Sequence, residues 1–135
     1  MRYLLDTNTC SHLQRNQPVV VTRLASLPPA AALYTSVIAQ GEMLYGANHV
    51  PKPRRARLLK GIRGLLRDMA EVLPVTRAVA QRYGLIKAEL ARQGTPIPAN
   101  DIWVAAIAME AGLIVVSDDA HFEYVAGLRV ESWLR

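Results

Sequence analysis

Five acidic residues stand where an apolar strand is expected to end or where a helix is expected to begin burying a face: Asp6, Glu42, Asp101, Asp118 and Asp119. In parallel α/β sheets, ligand sites form at the carboxyl ends of the strands. Carboxylates that converge at such an edge repel one another unless a cation lies among them. A hard divalent metal ion with oxygen ligands is therefore the occupant that this pattern predicts.

Each of these acids also has a purely structural explanation. Asp6 is equally suited to cap the helix that follows it, and Asp101 could complement a helix dipole from the first turn. Asn100 is the predicted cap of that second helix, which leaves Asp101 available for another role. One of the two residues Asp118 and Asp119 is expected to be an ordinary turn residue after a strand. The metal prediction therefore depends on four acids converging, not on any single one.

Glu42 is the acid whose burial is hardest to predict from its position in the sequence. At helical spacing it shares a face with Ile38 and Tyr45, so it interrupts an otherwise apolar stripe. Long charged side chains rarely lie fully buried on such a face unless they are paired or coordinated. For an isolated glutamate, a partly exposed position is slightly favoured over a buried one.

The composition indicates one globular domain spanning residues 1–135, with 51% apolar residues and a formal net charge of +5. Cys10 is the only cysteine, so no internal disulfide can form, which suits a reducing compartment. Asp6 ends the first apolar run too early for a signal peptide, and no apolar run reaches membrane-spanning length. A cytoplasmic protein without membrane association is expected.

The predicted elements alternate between strands and helices. The strands are expected at 2–6, 32–35, 72–75, 113–117 and 128–130, and the helices at 8–15, 18–27, 37–48 (capped by Ser36), 53–69, a long helix capped by Thr76, and one that Asn100 begins and Gly112 ends. Strands separated by helices predict right-handed crossovers and a mostly parallel, twisted sheet flanked by helices, an α/β fold. In such a sheet the acids that follow the first and fourth strands emerge at the same edge.

Five segments carry more specific information, in this order: Leu4–Asn8, Ser36–Ala47, Ile86–Gly94, Asn100–Ala106 and Leu113–Phe122. Their order and composition resemble the PIN-domain ribonucleases and, within them, the VapC toxins of bacterial toxin–antitoxin operons. The resemblance covers essentially the entire chain and implies a single PIN-like domain.

By this resemblance, Asp6, Glu42 and Asp101 match the metal-binding acids of the family. Counting back from the phenylalanine that closes the last segment favours Asp119 as the fourth acid, with Asp118 as the alternative. The resemblance thus implies that all four acids bind the metal and take part in catalysis.

Four further positions are implied to support the site: Thr7, Asn8, Ser117 and Asp118. Thr7 and Ser117 match positions where the family carries a hydroxyl that helps to order the site. Ser117 replaces the threonine that the family usually shows, and Asp118 takes a position usually held by asparagine or arginine.

The resemblance further implies an endoribonuclease that depends on Mg²⁺ or Mn²⁺ and leaves a 5′-phosphate and a 3′-hydroxyl. A tRNA anticodon loop, or another structured RNA loop, is the implied substrate. A VapB-type antitoxin and a second copy of the chain in a homodimer are the implied partners.

Two alternatives remain open on sequence grounds. A haloacid-dehalogenase-like phosphatase would use Asp6 as nucleophile and Asp118 and Asp119 to hold Mg²⁺, but Asn8 stands where that chemistry needs a second aspartate. A non-catalytic PIN-fold module that binds RNA or protein is the other alternative. The complete set of mutually repelling acids argues against this second one.

Basic residues are concentrated in the segment 52–67, which holds seven of the 16 lysines and arginines and no acid. Lys60, Arg63 and Arg67 fall opposite the predicted apolar stripe of this helix. A solvated face is the ordinary explanation, but an RNA substrate would make the same side chains candidates for phosphate contacts.

The histidines and tryptophans are expected to carry no chemistry. His12, His49 and His121 are too dispersed for a zinc site, so surface positions are predicted for all three. Trp103 and Trp133 are expected to fill the core or an interface.

Overall fold

The computed structural model describes residues 1–134, and a five-stranded parallel sheet forms its centre. The strands are β1 (Arg2–Leu5), β2 (Ala32–Ser36), β3 (Glu71–Leu73), β4 (Ile114–Val116) and β5 (Val130–Glu131). The predicted α/β fold with a parallel sheet is confirmed.

Helices join consecutive strands, except at the last connection, which carries a 3₁₀ helix. They are α1 (Thr7–Gln14), α2 (Pro18–Ala25), α3 (Val37–Asn48), α4 (Lys52–Arg67), α5 (Arg77–Gln93), α6 (Ala99–Ala111) and the 3₁₀ helix Ala120–Tyr124. Ser36 and Thr76 cap α3 and α5 as predicted. Gly112 ends α6 in the left-handed conformation at φ 68°, which glycine adopts without steric cost. Nowhere in residues 1–134 is a helix both long and apolar enough to cross a membrane.

Two hydrophobic layers cover the two faces of the sheet, because successive side chains of a strand point to opposite faces. Leu4 packs with buried residues of α5 and α6 on one face. Tyr3 and Leu5 lie on the other face, with residues of α1 to α4 and with Trp133. Trp133 is buried and makes an edge-to-face contact with Tyr3, as expected for a core residue.

The strand order β3-β2-β1-β4-β5 places a topological switch between β1 and β4. From β1 the chain builds outward through β2 and β3, and it then returns through α5 and α6 to add β4 on the opposite side of β1. Helices that leave β1 and β4 diverge at this point, which opens a crevice at the carboxyl ends of these two strands. Residues that directly follow β1 and β4 therefore border the crevice.

Candidate active site

Asp6 directly follows β1 and is held rigidly at the switch point. Its side chain caps α1, because Oδ1 accepts a hydrogen bond from the Thr9 backbone N–H at 2.8 Å. The Thr9 hydroxyl in turn donates to the Val116 carbonyl at 3.0 Å, which ties the start of α1 to β4. The capping explanation of Asp6 is thus correct, and it fixes the carboxylate beside the crevice.

Asp6 is nearly buried, with 7% of its surface exposed. Burial raises the pKa of its carboxyl above the usual value, and the negative charge of Asp119 raises it further. Hydrogen bonds from the Ser117 hydroxyl and from Thr9 act in the opposite direction but do not cancel the effect of burial. A cation beside Asp6 would offset the free-energy cost of keeping its carboxylate charged in a buried position.

Asp101 approaches the crevice from the first turn of α6 and exposes 15% of its side chain. The predicted cap of this helix is wrong: α6 begins at Ala99, with Pro98 in the cap position and no capping side chain. Asn100 instead lies within the helix, and its Nδ2 donates to Oε1 of Glu42 at 3.4 Å. Asn100 therefore bridges α6 to α3.

The pKa of Asp101 is raised for the same physical reason as that of Asp6. Burial is the largest cause, and the charges of Asp119 and Asp6 add to it, while the hydrogen bond from His121 opposes them. Because Asp6 and Asp119 both act on Asp101, the acids from β1, α6 and the end of β4 form one electrostatically coupled group.

The two adjacent aspartates after β4 have different surroundings. Asp119 caps the 3₁₀ helix by accepting from the His121 N–H at 2.9 Å, and its own N–H donates to Oγ of Ser117 at 3.0 Å. Asp118 is exposed and accepts a hydrogen bond from the Ser132 hydroxyl at 2.9 Å. Asp119 lines the crevice with the other acids, which supports it over Asp118 as the fourth acid.

Glu42 borders the crevice but lies on an exposed face. The buried residues of α3 are Ala39, Met43 and Ala47, whereas Tyr45 is 70% exposed. The face that Glu42 shares with Ile38 and Tyr45 is therefore not a buried one, and the slightly favoured, exposed position of Glu42 is the observed one. From there its carboxylate reaches the edge of the crevice and meets Asn100.

These side chains enclose a cleft of about 190 Å³ at the β1/β4 switch. Its lining residues are Asp6, Thr7, Asn8, Glu42, Pro98, Asn100, Asp101, Val104, Asp119 and His121. All four predicted acids are thus brought together, along with Thr7 and Asn8. Ser117 is buried directly behind them, and its hydroxyl contacts both Asp119 and Asp6.

His121 also lines the cleft, so the prediction that it occupies an ordinary surface position is wrong. Its Nδ1 lies 2.8 Å from Oδ2 of Asp101 and 3.0 Å from Oδ1 of Asp119. The hydrogen bond to Asp101, followed by the charges of both acids, raises the pKa of the imidazole. Ligand atoms of these three residues all lie within 4.8 Å of one another, so the group could hold a metal ion.

The predicted RNA-binding residues lie apart from this cleft. Lys60, Arg63 and Arg67 are exposed on the side of α4 that faces solvent, as their helical spacing predicts. Two other basic side chains, Arg15 and Arg54, line a groove between α1, α3 and α4. This groove meets the cleft at Thr7 and Glu42.

Comparison with known proteins identifies the family to which this site belongs. The PIN-domain family model matches residues 3–128. The chain is 37% identical over 134 residues to the tRNA(fMet)-specific endonuclease VapC of Shigella flexneri, an alignment that covers 98% of each chain. The chain belongs to the VapC family of PIN-domain ribonucleases. Ribonuclease VapC2 of Haemophilus influenzae is a further VapC relative, 35% identical over 136 residues and 99% of each chain.

The solved VapC structures share the fold. DNA-bound VapBC from Salmonella typhimurium superposes with a TM-score of 0.87 at 33% identity, covering 98% of both chains. VapBC-1 from nontypeable Haemophilus influenzae superposes with a TM-score of 0.88 at 26% identity over the full length of both chains. The predicted VapC resemblance is therefore confirmed, and membership of this family excludes the phosphatase alternative.

Proposed function

We propose that this VapC-family ribonuclease is a metal-dependent endoribonuclease that acts as the toxin of a toxin–antitoxin pair. The observation that carries the proposal is the meeting of Asp6, Asp101 and Asp119 in one cleft, with Glu42 at its border. Buried, mutually repelling carboxylates destabilise a protein unless a cation compensates them. Their retention argues against a non-catalytic module.

The donor set fits a hard divalent cation such as Mg²⁺ or Mn²⁺. Asp6, Asp101 and Asp119 supply carboxylate oxygens, which such ions prefer, and Glu42 would act directly or through a water molecule. When bound, the cation would activate water for attack on a phosphodiester and stabilise the charge that develops on the leaving oxygen.

The protein's own residues would order these acids for the reaction. The helix cap holds Asp6 in one orientation, and the Ser117 hydroxyl links Asp6 to Asp119. Thr7 and Asn8 line the cleft beside them. In the proposed hydrolysis, water adds to phosphorus and the bond to the 3′ oxygen breaks, so the products carry a 5′-phosphate and a 3′-hydroxyl.

We propose tRNA as the substrate, cut in the anticodon loop. The Shigella flexneri relative is a tRNA(fMet)-specific endonuclease. So is a relative from Salmonella typhimurium that is 34% identical to this chain. A cleft of about 190 Å³ has little surface for reading a long sequence, whereas splayed bases in an RNA loop offer edges and backbone together. The cytoplasm, where tRNA is found, is the corresponding place of action.

A VapB-type antitoxin and a second copy of this chain are the proposed partners. The solved relatives from Salmonella typhimurium and Haemophilus influenzae are VapBC complexes. An antitoxin that obstructs the acidic cleft by placing a basic side chain among the carboxylates would explain how the activity is restrained.

Purified protein incubated with total tRNA provides the direct test. Discrete fragments with 5′-phosphate ends are expected in Mg²⁺ or Mn²⁺, and no fragments are expected in EDTA. The Asp101→Asn protein, prepared in parallel, controls for contaminating nuclease. Metal-stimulated loss of the phosphate from a small phosphomonoester, without RNA cleavage, would contradict the proposal.

Divalent metal is also expected to stabilise the folded protein. A ligand present at about one hundred times its dissociation constant stabilises the native state by about 2.7 kcal/mol, which corresponds to a rise in Tm on the order of 10 °C for a domain of this size. The measurement is thermal unfolding with Mn²⁺ or with EDTA, with the Asp101→Asn protein as control. An unchanged Tm together with EDTA-resistant cleavage would rule out a metal-dependent site.

The exposed basic face of α4 is proposed to bind RNA phosphates. Replacing Lys60, Arg63 and Arg67 with Gln is expected to weaken tRNA binding and to flatten its salt dependence, by roughly 0.7 in logarithmic slope for each phosphate that the variant no longer neutralises. A matched triple variant, Arg77→Gln, Lys87→Gln and Arg129→Gln, makes the same charge change at exposed positions elsewhere. Equal slopes for both variants and the wild type would show that the α4 face is only solvated.

A further inference from the structure

We infer that His121 is a ligand of the catalytic cation, so that the centre combines carboxylate oxygens with an imidazole nitrogen. This inference rests on the proposed metal-dependent function, and it adds a ligand to the four acids. It also predicts which cations the site prefers.

The positions of the donor atoms carry the inference. Nδ1 of His121 lies 2.8 Å from Oδ2 of Asp101 and 3.0 Å from Oδ1 of Asp119. Neighbouring ligands of an octahedral ion with bonds of about 2.1 Å are about 3.0 Å apart. Both distances from Nδ1 therefore match the separation of neighbouring ligands of such an ion, and the ligand atoms of all three residues lie within 4.8 Å of one another.

Local structure holds the imidazole in this position. Asp119 caps the 3₁₀ helix by accepting from the backbone N–H of His121, and the next residue, Phe122, is almost fully buried at 1% exposure. The backbone of His121 is thus anchored on both sides, and its side chain is directed back towards Asp101 on α6. The His121 side chain is 43% exposed, so the ring reaches solvent while its Nδ1 faces the acids.

A nitrogen ligand changes the expected metal preference. Mg²⁺ is bound through oxygen ligands and retains much of its water. Imidazole best suits Fe, Ni, Cu and Zn, and Mn²⁺, a softer ion than Mg²⁺, accepts a nitrogen ligand more readily than Mg²⁺ does. The site is therefore expected to bind Mn²⁺ more tightly than Mg²⁺, and loss of the imidazole is expected to reduce this difference.

The same separations also suit hydrogen bonds, so a specific rival exists. In that rival, the imidazole only occupies the space between Asp101 and Asp119, and an incoming cation displaces it. The two arrangements differ in an observable property, because only a coordinated imidazole places a nitrogen nucleus in direct contact with the ion.

The test uses Mn²⁺ bound to the full-length protein and pulsed electron paramagnetic resonance. Nitrogen-14 modulation from the Mn²⁺ is expected in the wild type and is expected to vanish in the His121→Gln protein. Calorimetric titration is expected to show Mn²⁺ affinity falling by at least about tenfold in this variant, and Mg²⁺ affinity falling less. His49→Gln, the same substitution at an exposed position at the end of α3, should leave both measurements unchanged.

Two results would overturn the inference. Bound Mn²⁺ without nitrogen modulation in the wild type, or tighter Mn²⁺ binding in His121→Gln, would show that the imidazole is displaced and does not coordinate the ion. Cleavage of tRNA by the wild type in the same samples separates this failure from failure of the proposed function. Cleavage without nitrogen modulation defeats only the ligand assignment, and modulation without any RNA cleavage defeats the proposed ribonuclease activity.

Discussion

Replacing Asp101 with Asn is expected to reduce RNA cleavage by at least about a hundredfold, equivalent to roughly 2.7 kcal/mol of lost transition-state stabilisation. The amide preserves the shape of the side chain but removes the charge that a cation requires. Asp6→Asn, Glu42→Gln and Asp119→Asn are expected to have the same effect, because each removes one carboxylate from the same cleft. The measurement is the rate of tRNA cleavage at saturating Mn²⁺.

Asp118→Asn is the matched control for this series. It makes the same chemical change at the residue before Asp119, where an exposed carboxylate accepts a hydrogen bond from the Ser132 hydroxyl. Substantial activity is expected to remain in this variant. An inactive Asp118→Asn protein beside an active Asp119→Asn protein would show that the fourth acid is Asp118, and full activity in all four cleft variants would remove the acids from the mechanism.

The loss of activity should not come from unfolding, and Asp6 shows why. Burial raises the pKa of Asp6 above its value in the unfolded chain, so the group destabilises the fold once the pH rises through the folded pKa. In Asp6→Asn this cost disappears, while the amide oxygen can still accept the capping hydrogen bond from Thr9. The Tm of this variant at neutral pH in EDTA is therefore expected to equal or exceed that of the wild type. A markedly lower Tm would show that the charge itself holds the cap.

Convergence of the acids was predictable because it follows from topology. Asp6 and Asp119 follow strands that lie side by side and parallel, and parallel neighbours end at the same edge. The start of α6 must lie near that edge as well, because the helix runs back to the start of β4. These relations require only the order of the elements, which apolar runs and turn residues reveal in the sequence.

Predictions from local sequence were wrong for Asn100 and His121, because contacts with residues distant in the sequence determine the roles of both side chains. Asparagine is a preferred helix cap, but α6 begins one residue before Asn100, and the Asn100 amide bonds Glu42, a residue 58 positions away. Sequence spacing does not reveal the role of His121, because no second histidine lies at metal-site spacing. Its companions are Asp119, which is two residues away, and Asp101, which is 20 residues away on another helix. The signal in the sequence is a histidine two residues after the acid pair that follows a buried strand, with Ala120 between them.

The choice between Asp118 and Asp119 also required the structure. Adjacent residues at the end of a strand point in different directions, and sequence alone does not show which of them turns towards β1. The observed 3₁₀ helix supports Asp119, because Asp119 is its cap and its first turn brings Asp119 and His121 to the same side as Asp101.

Expression of this protein without an antitoxin is expected to arrest bacterial growth through cleavage of tRNA. The proposed substrate is a structured loop, since the compact cleft can admit splayed bases and backbone but cannot read an extended sequence. Sequencing of RNA 5′ ends after induction is expected to show one or a few dominant cuts, located in anticodon loops. The Asp101→Asn protein, expressed to the same level, is the control and should neither arrest growth nor produce these ends.

Control by a partner is tested in the same cells and with purified components. A short reading frame beside the gene is the expected source of the antitoxin, and its co-expression should restore growth. In solution, a saturating amount of that protein should reduce tRNA cleavage to the level of Asp101→Asn, because a segment lying in the cleft would exclude both RNA and the catalytic water. Cuts spread evenly over unstructured transcripts would contradict the loop substrate. Full cleavage in the presence of saturating, bound partner would show that the antitoxin does not act by covering the acids.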